Sequence, residues 1–336
     1  MRSDRETHET RSATAYWVVS PGVGELRSER VPSPSPGHSI LRTEFSAVSI
    51  GTERLVGLGL VPRRSWRTMQ CAHMAGSFAF PVKYGYSAVG TIVEGSLAGE
   101  RVFVMHPHQD IACIDDERAT HLPDSIPSPR ATLIPNLETA LNAYWDSELQ
   151  KGERSIIVGG GPLGILVAFV LAGHGHRTRV VEIDDARRAF AGSLPWIDEV
   201  VASTGVGEHV VAFHTSASAS GLQTSIDATG FEGRIVELSW YGDRQVTIDL
   251  GGTFHHERKR ILASQVASIA TPMRGAVSHD QRMRRVLELL DTAELDRLLA
   301  PAVSFERLPQ SMQGIYAGAT VLGVPLVSYR HDEEPS

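Results

Sequence analysis

The chain has 336 residues, of which 42% are hydrophobic, 21% charged and 7% aromatic, a composition typical of a globular protein with about two domains. Its formal net charge of −7 argues against a nucleic-acid-binding protein held by phosphate contacts. The cysteine content, two residues without a CxxC or CxxH spacing, excludes a disulfide framework and a structural zinc site and favours a reducing, cytoplasmic setting.

The amino-terminal part of the chain is predicted to be rich in β-strands. Residues 1–12 are charged and lack an apolar core, so we expect a mobile extension rather than a signal or a membrane anchor. Beyond it, short segments rich in Val, Ile, Phe and Thr alternate with Gly, Pro and Ser clusters, which favours strands. The predicted strands are 15–19, 39–49, 90–94 and 101–105.

From Leu137 the pattern changes to helices alternating with short apolar strands. Leu137, Leu141 and Trp145 recur every four residues, as on one face of a helix. Alternation of this kind predicts an α/β fold with a doubly wound parallel sheet covered on both faces. The predicted strands are 155–158, 179–183, 210–213, 234–238 and 261–265, and the predicted helices are 163–172, 185–191, 221–228 and 279–299.

The tail of the chain again contains short strand-like pieces, at 303–305 and 324–329, and resembles the first part. We therefore predict an α/β domain over 137–270, inserted into a β-rich domain built from 13–136 and 271–336. The uncharged stretch 155–173 is long enough to span a membrane. Its glycines and proline interrupt a spanning helix, so we expect strand, turn and helix there, and no membrane segment.

A glycine-rich motif joins the first of these parallel strands to its helix. It fits G-x-G-x-x-G, in which Gly159 permits a tight turn, Gly161 lets the backbone approach a pyrophosphate, and Gly164 allows close packing. Pro162 and Leu163 open the helix, whose free N–H groups and dipole favour a phosphate. The motif predicts a dinucleotide site, and a structural strand–helix turn is the alternative.

An acidic residue follows at the end of the next strand, where a carboxylate would accept hydrogen bonds from an adenosine ribose. This residue, Glu182, comes eighteen positions after Gly164. A carboxylate there would repel a 2′-phosphate, so NAD is favoured over NADP. Arg187 and Arg188, one helical turn further on, keep NADP open as the weaker alternative.

Four further segments, spaced in order around the glycine-rich turn, resemble the medium-chain dehydrogenase/reductases: 49–54, 84–90, 240–242 and 254–266. The resemblance extends from about residue 13 to residue 330, and its narrower match is to the zinc-lacking branch that includes bacteriochlorophyllide a dehydrogenase-like proteins. It implies a Rossmann domain within a GroES-like catalytic domain, with the active site between them. It also implies an NAD-dependent oxidoreductase acting on a small-molecule substrate, and a homodimer.

The segments that supply catalytic zinc ligands in zinc-dependent members of this family, Cys-Gly-Thr-Asp and Gly-His-Glu, are altered. Here Ile50 and Tyr86 stand in the ligand positions, and neither suits a zinc site. The four-cysteine lobe for a second zinc is also missing, and His106 and His108 occupy its region. We therefore expect no metal, and the plainer interpretation of the two histidines is polar lining of a cleft. A metal site built on these two histidines with Asp110 is the alternative.

The expected reaction is a zinc-independent interconversion of a secondary alcohol and a ketone on a small or secondary-metabolite-like substrate. By resemblance, Tyr86 and Thr52 hold the substrate oxygen, and Glu53 or a histidine from His106 and His108 passes the proton onward. Two plainer interpretations remain open: Tyr86 fills the volume of the missing zinc site, or Glu53 pairs with a cation such as Arg54 or Lys83.

Further cofactor contacts are expected at the carboxyl edge of the sheet and from the helix leading into it. The expected residues are Thr139, His214, Ser216, Ser239, Trp240, Ser264 and Gln265. Two other functions stay open: NAD(P)H-dependent reduction of an activated C=C bond or quinone, and a non-catalytic dinucleotide-binding protein.

Overall fold

The computed structural model describes residues 10–329, which divide into two compact units. The first unit contains residues 10–132, 301–319 and 325–329, and the second contains 133–300 and 320–324. A β-rich unit and a unit with a parallel sheet are therefore both present, which confirms the predicted fold class.

Short strands occur throughout the described residues. They are β1 (Thr10–Ser20), β2 (Val23–Pro32), β3 (His38–Ala47), β4 (Ala75–Gly76), β5 (Val82–Lys83), β6 (Ala88–Gly95), β7 (Arg101–Val104), β8 (Ile111–Asp115), β9 (Thr120–His121), β10 (Ser155–Val158), β11 (Arg179–Val181), β12 (Glu199–Val201), β13 (His209–His214), β14 (Thr229–Glu237), β15 (Arg260–Ala263), β16 (Val303–Ser304) and β17 (Leu326–Ser328).

The α-helices are concentrated after residue 127. They are α1 (Ile50–Gly57), α2 (Ser128–Ala131), α3 (Ile134–Ser147), α4 (Pro162–Gly173), α5 (Asp185–Gly192), α6 (Ala219–Ala228), α7 (Thr253–His256), α8 (His279–Leu290) and α9 (Leu308–Tyr316). Over residues 10–329, none of them has the length and apolar composition needed to cross a membrane.

The first unit consists of two sheets made mainly of antiparallel strands. One has the order β2-β1-β5-β4; the other has the order β16-β17-β3-β6-β7-β9, with β8 paired to β3. β1 begins at Thr10, because residues 10–12 pair with Arg30–Pro32 of β2. The predicted extension over 1–12 is therefore wrong for its last three residues, and its first nine lie outside the described part.

The second unit contains a six-stranded parallel sheet with the order β12-β11-β10-β13-β14-β15. The order reverses beside β10, and ligands bind at such a switch point in open α/β sheets. A buried apolar cluster supports this sheet, comprising Ile156, Val158, Val181, Ala212, Leu222, Ile226, Ala228 and Ile235.

The segment after β15 packs differently from the sequence prediction. Residues 271–300 were expected in the β-rich domain, but they lie in the second unit. Buried Arg282 of α8 explains this, because it donates to Glu138 and Asn142 of α3 at 3.0 and 2.7 Å and to the Val266 carbonyl at 2.7 Å. The predicted helix 279–299 also ends early, at Leu290, and continues as a 3-10 helix, Ala293–Leu298, that still buries two leucines.

We expect Arg282→Met to lower the free energy of unfolding by about 3–5 kcal/mol, because it leaves the part-buried Glu138 carboxylate and the buried Asn142 amide without their Arg282 partner. Arg284→Met, on an exposed site of the same helix, is the control, with an expected change within about 0.5 kcal/mol. Chemical denaturation of both variants measures the difference. Equal losses would show that Arg282 does not hold α8 to the second unit.

Candidate functional site

The glycine-rich turn lies between β10 and α4, and its glycines meet different surroundings. Gly159 has φ +117°, and a Cβ there would lie 2.7 Å from Thr215 Oγ1. A Cβ on Gly164 would lie 2.0 Å from the Gly159 carbonyl oxygen. Gly161 faces open space, because a Cβ on this residue would meet no heavy atom within 4 Å. Two glycines thus close the turn, and the third leaves a backbone surface free for a ligand.

The helix that follows the turn is suited to an anion. Pro162 occupies its first turn and Gly161 is its N-cap, without a side chain to satisfy the first N–H groups. Leu163 is half-buried. The free N–H groups and the helix dipole together favour a phosphate at this end of α4.

The predicted acid follows β11 and lies beside this turn. Glu182 is buried, and its two carboxylate oxygens accept from the N–H groups of Gly160 and Asp184, each at 2.9 Å. Arg188 donates to the Glu182 backbone carbonyl and pairs with Asp185, so its guanidinium is engaged locally. The next residue, Ile183, is 81% exposed, an uncommon position for a large apolar side chain that no pattern in the sequence marks.

A polar network occupies the carboxyl ends of β13 and β14. His214 is fully buried, with Nδ1 2.8 Å from Glu237 Oε2 and Nε2 2.7 Å from Ser216 Oγ. Ser239 contributes its N–H to Glu237 Oε1 and its hydroxyl to this cluster, and Tyr241 donates to Glu237 Oε2. His214, Ser216 and Ser239 therefore come together as predicted. Glu237 was missed, because an acid at the end of an apolar strand has no sequence signature of its own.

The remaining predicted cofactor residues are more scattered within the second unit. Thr139 donates to the Pro135 carbonyl within α3 at 2.8 Å. Ser264 donates to Asp146 of α3, which anchors the end of β15, and the Gln265 side chain accepts from Ala267 N. Trp240 is partly exposed in the loop after β14. Their contact with a cofactor stays a prediction.

In the first unit, Glu53 of α1 is a buried acid paired with a histidine. Its Oε2 lies 3.0 Å from His108 Nε2, and its Oε1 accepts from Ser49 N. His108 Nδ1 lies 2.7 Å from Ser46 Oγ, which lies 2.9 Å from the Tyr329 hydroxyl. Because a carboxylate can only accept, a neutral His108 donates from Nε2 and accepts at Nδ1. This places Tyr329, Ser46, His108 and Glu53 in one directed hydrogen-bond chain.

The cations suggested as alternative partners of Glu53 are engaged elsewhere. Lys83 contacts Glu29 and Gln109 at 2.6 and 2.7 Å. Arg54 donates to the Ile315 carbonyl. The interpretation of Glu53 as an ion-pair partner of these two residues is therefore wrong.

Tyr86 lies next to the hydroxyls of Ser49 and Thr52. Burial raises the pKa of Tyr86 to about 12, the hydrogen bonds from Ser49 and Thr52 oppose this shift, and the charge of Glu53 adds to it. The phenol is therefore protonated at neutral pH and can donate a hydrogen bond. Tyr86 and Thr52 form the pair of hydroxyls predicted from the sequence.

His106 has a different environment from His108. It is buried, its ring lies 4.9 Å from that of His73, and its Nδ1 lies 2.9 Å from the Pro107 carbonyl. Burial, with a smaller effect from His73, lowers the pKa of His106 to about 3, so it is neutral at physiological pH. The strand expected here ends at Val104, so the two predicted histidines reach separate partners instead of sharing a face.

Across residues 10–329, no cluster of three or more His, Cys, Asp or Glu side chains is arranged to hold a metal. Asp110, the third ligand of the alternative histidine site, accepts from Thr14 N and Ile111 N. Cys71 is half-buried and its thiol donates to the Gly85 carbonyl; burial raises its pKa to about 12.

Comparison with known proteins places the fold among dehydrogenases. No family model matches the chain. A 2-dehydro-3-deoxy-L-galactonate 5-dehydrogenase of Pseudoalteromonas atlantica is 33% identical over 128 residues, 35% of this chain and 38% of that protein. The matches to curated relatives cover between 18% and 55% of those proteins. The other relatives are named as (R,R)-butanediol dehydrogenases and an uncharacterized zinc-type alcohol dehydrogenase-like protein.

Solved structures match over nearly the whole chain at low identity. Acetophenone reductase of Geotrichum candidum, in complex with NAD, superposes with a TM-score of 0.76 at 14% identity, covering 94% of this chain and 97% of that one. A putative zinc-binding dehydrogenase of Sinorhizobium meliloti, bound to NADP, has a TM-score of 0.74 at 17% identity, covering 95% and 99%. At these identities the comparison establishes the fold.

We expect Gly164→Ala to destabilise the second unit, because the new Cβ collides with the Gly159 carbonyl and forces the backbone apart, at a cost of about 1–3 kcal/mol. Gly173→Ala, at the open end of the same helix, is the matched control and should not lower the melting temperature. Thermal unfolding of both variants is the measurement. Equal melting temperatures would contradict the close approach of turn and helix.

Proposed function

We propose that the chain is a nicotinamide-dinucleotide-dependent oxidoreductase of the medium-chain type, which interconverts a secondary alcohol and a ketone without zinc. The observation that carries the proposal is the turn after β10. There Gly159 and Gly164 are required by sterics, and Gly161 leaves open backbone at the start of α4. The likeness to the alcohol and polyol dehydrogenases supports the same chemistry.

Residues of the second unit would hold the dinucleotide. The N–H groups at the start of α4 would receive the pyrophosphate, and the exposed face of Ile183 would pack against the adenine. Glu182, whose oxygens each hold one backbone N–H, keeps lone pairs for a ribose hydroxyl and would repel a 2′-phosphate. NAD is therefore the proposed cofactor. When bound, its nicotinamide would accept or supply the hydride.

Residues of the first unit would handle the oxygen of the substrate. A carbonyl gaining hydride develops negative charge on oxygen, and hydrogen-bond donors aimed at that oxygen lower the barrier. The protonated phenol of Tyr86 is such a donor, and the hydroxyl of Thr52 is hydrogen-bonded to it. We assign to this pair the role that a metal ion has in zinc-dependent dehydrogenases.

The buried Glu53–His108 pair would support the hydroxyls of Tyr86 and Thr52. Glu53 occupies the position after Thr52 on α1. Burial raises the pKa of Tyr86, and the charge of Glu53 adds to this rise, so the phenol stays in its donating form. His108 holds the carboxylate in place through Nε2. His106, neutral and stacked on His73, lies outside this chain of contacts and is given no step.

Binding of the cofactor can be tested with a variant that folds normally. Gly161→Ala places a methyl group into open space at an extended backbone conformation, so we expect an unchanged melting temperature. The same methyl group would lie where the pyrophosphate approaches the backbone, so NADH binding should weaken by about tenfold or more. Fluorescence titration with NADH and NADPH measures both affinity and preference.

Gly173→Ala serves again as the control, and it should bind NADH like the unmodified chain. Equal NADH affinity for Gly161→Ala and the control would contradict a dinucleotide at the turn. Tighter binding of NADPH than of NADH would contradict the assignment of Glu182.

The role of the phenol is tested by Tyr86→Phe. We expect a loss of about 10²-fold in kcat/KM, the size typical of a positioned proton donor or acceptor. Because the pKa of Tyr86 is about 12, its hydroxyl stays protonated, so kcat/KM of the unmodified protein should be constant between about pH 6 and pH 9. Tyr16→Phe removes a buried hydroxyl whose partner is the Tyr316 hydroxyl rather than Thr52, keeps the aromatic ring, and controls for loss of a buried tyrosine hydroxyl.

Activity is assayed with a panel of secondary alcohols, ketones and enones. The metal content of the purified protein is measured alongside. Turnover of alcohols and ketones with less than stoichiometric metal is the expected result. Turnover of enones alone, or activity that requires bound zinc, would contradict the proposed reaction. Near-normal kcat/KM for Tyr86→Phe would show that the ring only fills space.

A further inference from the structure

Ser216, His214 and Glu237 form a serine–histidine–acid arrangement at the carboxyl edge of the parallel sheet. Ser216 Oγ lies 2.7 Å from His214 Nε2, and His214 Nδ1 lies 2.9 and 2.8 Å from the two carboxylate oxygens of Glu237. These distances lie within the range that links a nucleophile, its base and the group that orients the base. Holding a dinucleotide does not require a part-buried acid behind a buried histidine, so this arrangement points to a different role.

The protons in this arrangement have a defined direction. Glu237 can only accept, so Nδ1 of His214 carries a proton toward it. In a neutral imidazole Nε2 is then the acceptor, and the Ser216 hydroxyl donates to it. The other neighbour of the Ser216 oxygen is the Ser218 hydroxyl, 2.9 Å away, which can donate to one of its lone pairs.

The acid is held in place from two further sides. Ser239 N donates to Glu237 Oε1 at 2.7 Å, and the Tyr241 hydroxyl donates to Oε2 at 3.1 Å. His214 itself is fully buried, while Ser216 is exposed. The base is therefore shielded, the acid is part-buried and held by three donors, and Ser216 is exposed to a reagent.

The first turn of α6 lies directly against the serine oxygen. A Cβ on Gly221 would lie 2.0 Å from Ser216 Oγ and 2.9 Å from His214 Nε2, so only glycine leaves room for this contact. The Ser218 side chain caps the helix by accepting from Gly221 N. The other N–H groups of this turn have no partner within the helix, and the helix dipole is positive here. They offer donors for an oxyanion formed on a group attached to Ser216.

We propose that Ser216 is an activated nucleophile, with His214 as its base and Glu237 as the residue that orients the base, and that it reacts with esters carrying a good leaving group. In the first step a Ser216 Oγ–acyl bond forms, the ester C–O bond breaks, and the proton passes to His214 Nε2 and then to the leaving alkoxide. Water then attacks the acyl group with His214 as base, which releases the acid and restores the Ser216 hydroxyl.

A fluorophosphonate probe tests the nucleophile on the complete chain without a dinucleotide. In this reaction the Ser216 Oγ–P bond forms, the P–F bond breaks, and fluoride leaves with the proton taken up by His214. We expect peptide mass spectrometry to find one phosphonylated residue, Ser216, and Ser216→Ala to abolish the modification. Ser193→Ala, an exposed serine of the same unit that donates to the Phe190 carbonyl, should label like the unmodified protein.

Glu237→Gln tests the triad rather than the serine alone. An amide permits the wrong histidine tautomer, and we expect the labelling rate to fall by about 10²-fold or more. Circular dichroism checks that this variant is folded. If Glu237→Gln does not fold, the identity of the residue that the probe labels in the protein without substitutions decides whether Ser216 is the nucleophile.

Three results would overturn the proposal: no labelling of the unmodified protein, labelling of another residue, or an undiminished rate in folded Glu237→Gln. None of these results depends on oxidoreductase activity. A failure here therefore leaves the proposed hydride-transfer function standing, and a failure of that function leaves the labelling result interpretable.

Discussion

The close approach of β10, its turn and α4 is the constraint on which the second unit depends. A Cβ at Gly164 would come within 2.0 Å of a backbone oxygen, and one at Gly159 within 2.7 Å of a threonine hydroxyl. Because two glycines remove these atoms, the helix can start directly above the strand. Its free N–H groups then face the edge where the strand order reverses. Gly161 contributes in the opposite way, because a Cβ there would meet no heavy atom of residues 10–329 within 4 Å.

Two acid–histidine pairs, one fully buried and one with a part-buried acid, organise the polar residues of the two units. In the first unit Glu53 holds His108, and in the second Glu237 holds His214. Burying a carboxylate is costly unless it is paired and hydrogen-bonded, and each acid also accepts a backbone N–H. Each pair therefore fixes the side chains around it. The Glu53–His108 pair lies close to the hydroxyls of Tyr86 and Thr52, and the Glu237–His214 pair lies close to Ser216.

The parts of the sequence with strong local signals were predicted well. The glycine-rich motif lies between a strand and a helix as predicted, and Glu182 lies beside it, because motif and spacing act over a few residues. The acid at 237 and the exposed Ile183 were not identified. Each is an ordinary residue in its local stretch and gains its meaning from neighbours on other strands. The same reason explains Arg282, which assigns α8 to the second unit through residues more than a hundred positions away.

The amino-acid sequence alone determined the fold class and the position of the turn, because periodicity and residue type are local properties. Tertiary structure decided which partners the polar residues have. From the sequence, Glu53 could pair with Lys83 or with His108, and His106 could share a site with His108, because all of them are titratable residues of the same part of the chain. Only folding brings particular pairs within hydrogen-bond distance, since a burial cost must be met by the donors and acceptors that the packed strands and helices provide.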